Sequence, residues 1–117
     1  MPKFEADSLQ RQIRQLGDAV AAIVARVRVA ADYESGLEAI RDAAAKGLGP
    51  DRSLLDKLDA GSASQLLREP ARTRMYAQVC VAEAEMLERL GRLEEATRLK
   101  ARAASLEEAV RDRGSSG

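Results

Sequence analysis

Apolar residues recur along most of this chain at three- and four-residue spacing, the pattern of helices that each bury one face. Ile13, Leu16, Val20, Ile23, Val24 and Val27 form the first such stripe and predict a helix ending near Ala30. Asp7 or Ser8 can cap its start, with Gln10 as the capping-box partner of Asp7. Asp32 reads as the N-cap of a second helix that buries Leu37, Ile40 and Ala44. Gly47-Leu48-Gly49-Pro50 ends that helix, because glycine supplies a C-cap and proline bars continuation.

The middle, residues 51–69, is less regular. Leu54, Leu55 and Leu58 suggest a short helix begun by Asp51, Ala60-Gly61-Ser62 reads as a break, and residues 64–68 add a turn or two around Leu66 and Leu67. Pro70 suits the first turn of a longer helix over about residues 71–90, where its missing N–H costs nothing. Two stripes run side by side there: Met75, Val79, Ala82, Met86 and Leu90, and next to them Tyr76, Cys80, Ala84 and Leu87. An apolar face that wide predicts burial against more than one neighbour. The last helix, about residues 93–111, carries Leu93, Ala96, Leu99, Ala103, Leu106 and Val110. Period-two alternation is missing, and the strong helix formers Ala, Leu, Arg and Glu dominate. The expected fold is all-α: antiparallel helical hairpins with a short irregular helical insert, one domain over residues 8–112. Residues 1–7 read as a flexible arm. Residues 113–117 have the composition of a linker and read as a disordered tail.

The hairpin pattern occurs twice, over about residues 17–50 and 77–110, pivoting on Ala31-Asp32-Tyr33-Glu34 and on Gly91-Arg92-Leu93-Glu94-Glu95-Ala96. Ala84 and Leu87, the turn residue Gly91, and then Leu93, Ala96 and Ala103 resemble a tetratricopeptide repeat, whose unit is about 34 residues. Cys80, Glu83, Lys100 and Glu108 depart from that pattern; Glu83 stands where a leucine is expected. In the first copy Ala31 replaces the turn glycine, and Tyr33, Gly36 and Ala43 take the places of Leu93, Ala96 and Ala103. The layout also resembles a family of small, uncharacterised all-helical bacterial proteins. The likeness rests on Leu9-Gln10-Arg11-Gln12-Ile13-Arg14-Gln15-Leu16, the Asp32-Tyr33-Glu34 turn and the Leu54-Leu55-Asp56-Lys57-Leu58 insert. These resemblances imply the fold and no chemistry.

Composition narrows the classes. The 117 residues are 45% apolar but only 3% aromatic, so the core must be built from aliphatic side chains and alanine. Nineteen basic and 19 acidic residues cancel, and neither half hides a pole: residues 1–60 hold nine Lys/Arg against ten Asp/Glu, residues 61–117 ten against nine. Nucleic-acid binding needs a basic stripe that releases phosphate counterions, so DNA and RNA are not expected partners. The longest apolar run, residues 19–25, is too short to span a bilayer, and the first residues lack the apolar core of a secretory signal. With Cys80 as the sole cysteine there is no internal disulfide to form, and a cytoplasmic location is expected.

No catalytic, cofactor-binding or metal site is expected. Cys80 has no histidine to deprotonate it, since the chain holds none, and reads as a packed core thiol. Glu83, Glu85, Glu88, Glu94 and Glu95 lack the histidines of a helical di-metal site and read as a solvated face, with Glu85 and Arg89 at ion-pairing spacing. Arg68, Arg72 and Arg74 flank Pro70, while Arg98, Lys100 and Arg102 lie on the last helix. Either group could meet an anion, but Lys100 points about 160° away from both its neighbours, so the last three form no compact pocket, and both groups read as solubilising surface charge. By the tetratricopeptide resemblance, the first helix of each hairpin lines a concave groove. That implies partner contacts at Arg28 and Val29 in the first copy and at Gln78, Val81, Glu85, Glu88 and Arg89 in the second. The expected function is a noncatalytic protein–protein interaction or scaffold module, engaging a protein partner or forming a homodimer. A small-molecule-binding or regulatory helical bundle is the alternative. Two hairpins bury little core, so the insert or a second copy is expected to cover an open end.

Overall fold

The computed structural model describes the backbone of residues 2–49 and 51–115, and side chains within residues 8–49 and 51–113. Six helices follow one another: α1 (Pro2–Ala30), α2 (Tyr33–Gly47), α3 (Arg52–Lys57), α4 (Ala60–Leu67), α5 (Pro70–Arg89) and α6 (Leu93–Ser115). No strand occurs among the described residues. Three expectations change. The arm expected over residues 1–7 is drawn into α1 from Pro2 onward, so neither Asp7 nor Ser8 starts a helix. The tail expected from residue 113 is helical as far as Ser115; Ser116 and Gly117 lie outside the described residues, as does Pro50. Ala60-Gly61-Ser62 is not a break but the first turn of α4, because the Asp59 carboxylate accepts the Ser62 N–H at 2.6 Å and caps the helix.

α1 and α2 form an antiparallel hairpin. Val27 on α1 lies over Gly36 on α2, and Leu16 lies over Gly47. The approach at Gly36 is so close that an added Cβ would sit 2.5 Å from Val27 and 3.1 Å from the Met86 sulfur, so only glycine lets α1, α2 and α5 meet there. α5 and α6 form the second hairpin. α5 also packs on α1, α2 and α4, and is therefore the hub of the molecule. Both of its apolar stripes are consumed: Tyr76, Val79, Cys80, Ala84, Met86 and Leu87 are fully buried. The last helix departs in one place, for Leu93 is 62% exposed where the periodicity expects burial. It stands in the first turn of α6, beyond the reach of α5.

The two hairpin junctions close alike. Ala31 has φ +58°, and its N–H reaches Val27 O at 2.7 Å. Gly91 has φ +80°, with Gly91 N on Glu88 O and Arg92 N on Leu87 O, the paired bonds of a Schellman cap.

The insert is tied down residue by residue. α3 has only six residues and could not persist alone; an Asp51 cap and the fully buried Leu55, worth about 1.5–3 kcal/mol, hold it. α4 lies on α5 and α6 and buries Ala63, Ser64 and Leu67, while Leu54 and Leu66 stay largely exposed. Arg68, at φ +67° and ψ −62°, turns the chain so sharply that Glu69 N donates to Leu67 O at 2.8 Å. Arg113 from α6 meets this corner, donating to Ser64 O, Ser64 Oγ and Arg68 O. It adds donors to the carbonyl end of α4, where Ser64 O also accepts the Arg68 N–H.

Candidate functional site

Two surfaces bring chemistry-bearing residues together. The first is the face that α1 and α5 share. These helices run in the same direction, since Gly17 lies beside Met75 and Arg28 reaches Glu85. The Arg28 guanidinium grips the Glu85 carboxylate through two bonds of 3.0 and 2.9 Å. That hydrogen bond is the main reason the Glu85 carboxyl is held below its ordinary range, with the charges of Arg28 and Arg89 adding to it. Arg28 is in turn raised by the hydrogen bond it donates to Glu85 and by the charge of that carboxylate. Glu85 therefore pairs across helices rather than with Arg89 one turn on. Glu88 is likewise taken by Lys100 of α6, at 2.5 Å. Gln78 and Arg89 are exposed, Val81 is 52% exposed and Val29 is 90% exposed. Of the seven residues expected to contact a partner, the structure joins Arg28 to Glu85 and ties Glu88 to α6.

The second surface was not anticipated. Glu83, expected on a solvated face, is 1% exposed. It survives burial because Arg52 from α3 donates to both its oxygens, at 2.6 and 3.3 Å, and Arg41 from α2 donates to one of them at 3.4 Å. A buried carboxylate without such partners would be too costly to keep ionised. Arg52 also donates to Asp56 at 3.0 Å, and Asp56 accepts the Tyr76 hydroxyl at 2.5 Å. Burial alone would lower the Arg52 pKa, but its bonds to Glu83 and Asp56 raise it above its ordinary value. Arg102 from α6 donates to Leu55 O at 2.6 Å and to the Tyr76 hydroxyl at 3.3 Å. The Tyr76 ring is in reach of two guanidinium carbons, 5.4 Å away for Arg52 and 5.5 Å for Arg102. Burial first, and the bond to Asp56 second, push the phenol up to about 12.

Around this network opens a cleft of about 510 Å³ where α2, α3, α5 and α6 meet. Arg98 and Arg102 both line it, together with Arg41 and Arg52. Lys100 does not, as its angular position on α6 foretold. Cys80 is not in the lining. It is fully buried, and burial pushes its thiol up to about 12, far from thiolate at neutral pH. Among the described residues no three carboxylate or thiol groups converge as metal ligands, and no helix is long and apolar enough to cross a membrane.

The Glu83 cluster escaped the sequence reading because its partners stand 31 and 42 residues away. Its one local signal was the acidic residue at a leucine position in the repeat pattern. No protein-family model, curated protein or solved structure matches this chain.

Proposed function

We propose that the chain is a noncatalytic interaction module of tetratricopeptide-like build, which engages a protein partner through the face shared by α1 and α5. The observation that supports this most is the Arg28–Glu85 pair. It links the first helices of two successive hairpins, running in the same direction, in the way the resemblance implies for a concave face. Beside it Val81, half-exposed on an otherwise polar stripe, offers an apolar contact. The packing of α4 on α5 and α6 favours the insert, over a second copy, as the cover of that end.

A photo-cross-linking residue in place of Val81, compared with one at the exposed Ala104 of α6, tests the reading in cells. A discrete protein adduct from position 81 and none from position 104 is expected. Equal adducts from both positions, or none from position 81, would overturn it. Light scattering on the purified chain then says whether the partner is a second copy.

A further inference from the structure

The arginine-lined cleft carries a reading that goes beyond a protein-binding face. Four guanidinium groups border it, Arg41, Arg52, Arg98 and Arg102, against three carboxylates, Asp56, Glu83 and Glu95. Glu95 is already engaged by Arg92, outside the lining, at 2.8 Å. Asp56 and Glu83 offset two of the four cations, so two remain uncompensated. Which of the four keep free donors follows from their hydrogen bonds. Arg52 is saturated by Glu83 and Asp56, and Arg102 is fixed by a carbonyl and a phenol. Arg41 touches Glu83 only through Nε at 3.4 Å and remains half-exposed, with both terminal nitrogens unspent. Arg98 has no hydrogen-bond or ion-pair partner among the described residues.

The arrangement is not accounted for by stability. A buried ion pair gains little over apolar side chains of similar size, because desolvation offsets the Coulomb attraction. A leucine at position 83 would pack there more simply. What Glu83 and Tyr76 do achieve is to hold Arg52 and Arg102 in place beside the two unspent guanidinium groups. Guanidinium forks match the paired oxygens of a phosphate or carboxylate. The uncompensated charge selects between these, since a phosphate monoester carries about two negative charges at neutral pH and a carboxylate one. The volume lies within the range of small-molecule sites, and Leu99 is the sole apolar residue in the lining.

We propose that the cleft between α2, α3, α5 and α6 binds the phosphate group of a small phosphorylated molecule, gripped by Arg41 and Arg98 and backed by Arg52 and Arg102. Neither the α1–α5 face nor any protein partner is needed for this, so the two readings stand or fall separately.

The test is a titration of the purified chain at constant ionic strength with inorganic phosphate, phenyl phosphate, succinate and acetate, followed by NMR at the arginine Nε–H signals. Saturable shifts confined to the cleft arginines are expected with both phosphates in the millimolar range or below, and acetate should give none. Arg98→Gln and Arg41→Gln should each weaken phosphate binding by about tenfold or more, while the exposed Arg26→Gln on α1 leaves it unchanged. Both cleft substitutions are at exposed side chains, and unfolding curves matching the parent confirm that the fold survives. Three results would overturn the proposal: no saturable shift with phosphate, an equal loss in Arg26→Gln, or tighter binding of succinate than of either phosphate.

Discussion

Glu83 and Arg52 meet in the interior as a two-pronged ion pair, with Arg52 Nη2 2.6 Å from one carboxylate oxygen and Nη1 3.3 Å from the other. They stand on different helices, α5 and α3, and the pair joins the Tyr76–Asp56 bond and the buried Leu55 in fastening the six-residue α3 to the hub. Glu83 is almost wholly out of water, and the Arg52 side chain is 16% exposed.

Removing one member leaves the other's charge in a poor solvent, which costs about 3–5 kcal/mol for a fully buried pair. Asp56 remains beside Arg52, so Glu83→Gln should cost less, about 2–3 kcal/mol by the same reasoning. Glu83→Leu combined with Arg52→Leu should recover most of that loss, because the double change removes both desolvated charges. Urea unfolding of the parent, of Glu83→Leu and Arg52→Leu alone, and of the double variant measures the coupling. A Glu83→Gln chain within about 0.5 kcal/mol of the parent would show that the pair is structurally idle.

How much of this was legible beforehand depends on the reach of each interaction. The caps at Asp32 and Asp51 and the junctions at Ala31 and Gly91 were readable because their hydrogen bonds close within about one helical turn of sequence. The two stripes of α5 announced several neighbours, and α5 touches α1, α2, α4 and α6. The start of α4 was misread because Ala60, Gly61 and Ser62 are small residues that serve a turn or a first helical turn equally well; the deciding bond belongs to Asp59. Glu83 and the cleft arginines were illegible for a different reason. Helical periodicity separates one face from another, but it does not say that an acidic residue on an inward face will find arginines contributed by two other helices. The same limit applies to Arg28 and Glu85, 57 residues apart, the second of which has Arg89 at pairing spacing in its own helix.

Asp59 gives the chain a pH dependence whose sign is fixed. Its carboxylate accepts from the Ser62 backbone N–H, then from the Ser62 side chain, and with the charge of Arg102 these hold its pKa below the ordinary 3.8. A folded value lower than the unfolded one means the stabilisation is complete above 3.8 and is lost as pH falls through the folded value. Glu85, also depressed, contributes in the same direction over its own range below 4.5. Asp59→Ala should therefore be less stable than the parent at neutral pH, and the gap should narrow in acid. Urea midpoints for both chains between about pH 6 and about pH 2.5 measure it. A gap that stays constant across that interval would mean the cap acts through something other than the ionised carboxylate.

The two hairpin junctions offer a backbone test with opposite signs. Ala31 and Gly91 occupy matching places and share a left-handed conformation, at φ +58° and +80°. An L residue there carries about 1–2 kcal/mol of steric strain. Glycine escapes it but gives back about 0.5–1 kcal/mol through the flexibility of its unfolded chain. Ala31→Gly should therefore stabilise the fold by about 0.5–1 kcal/mol, and Gly91→Ala should destabilise it by a similar or somewhat larger amount. At Gly91 nothing lies within 4 Å of where a Cβ would stand, so the loss there would be conformational and not a clash. Thermal unfolding of the two variants and of the exchanged double variant checks the pair. The double variant should fall near the parent, because strain removed at one junction is introduced at the other and the sites share no contact. A destabilising Ala31→Gly would mean that the alanine side chain makes a contact there worth more than the strain it carries.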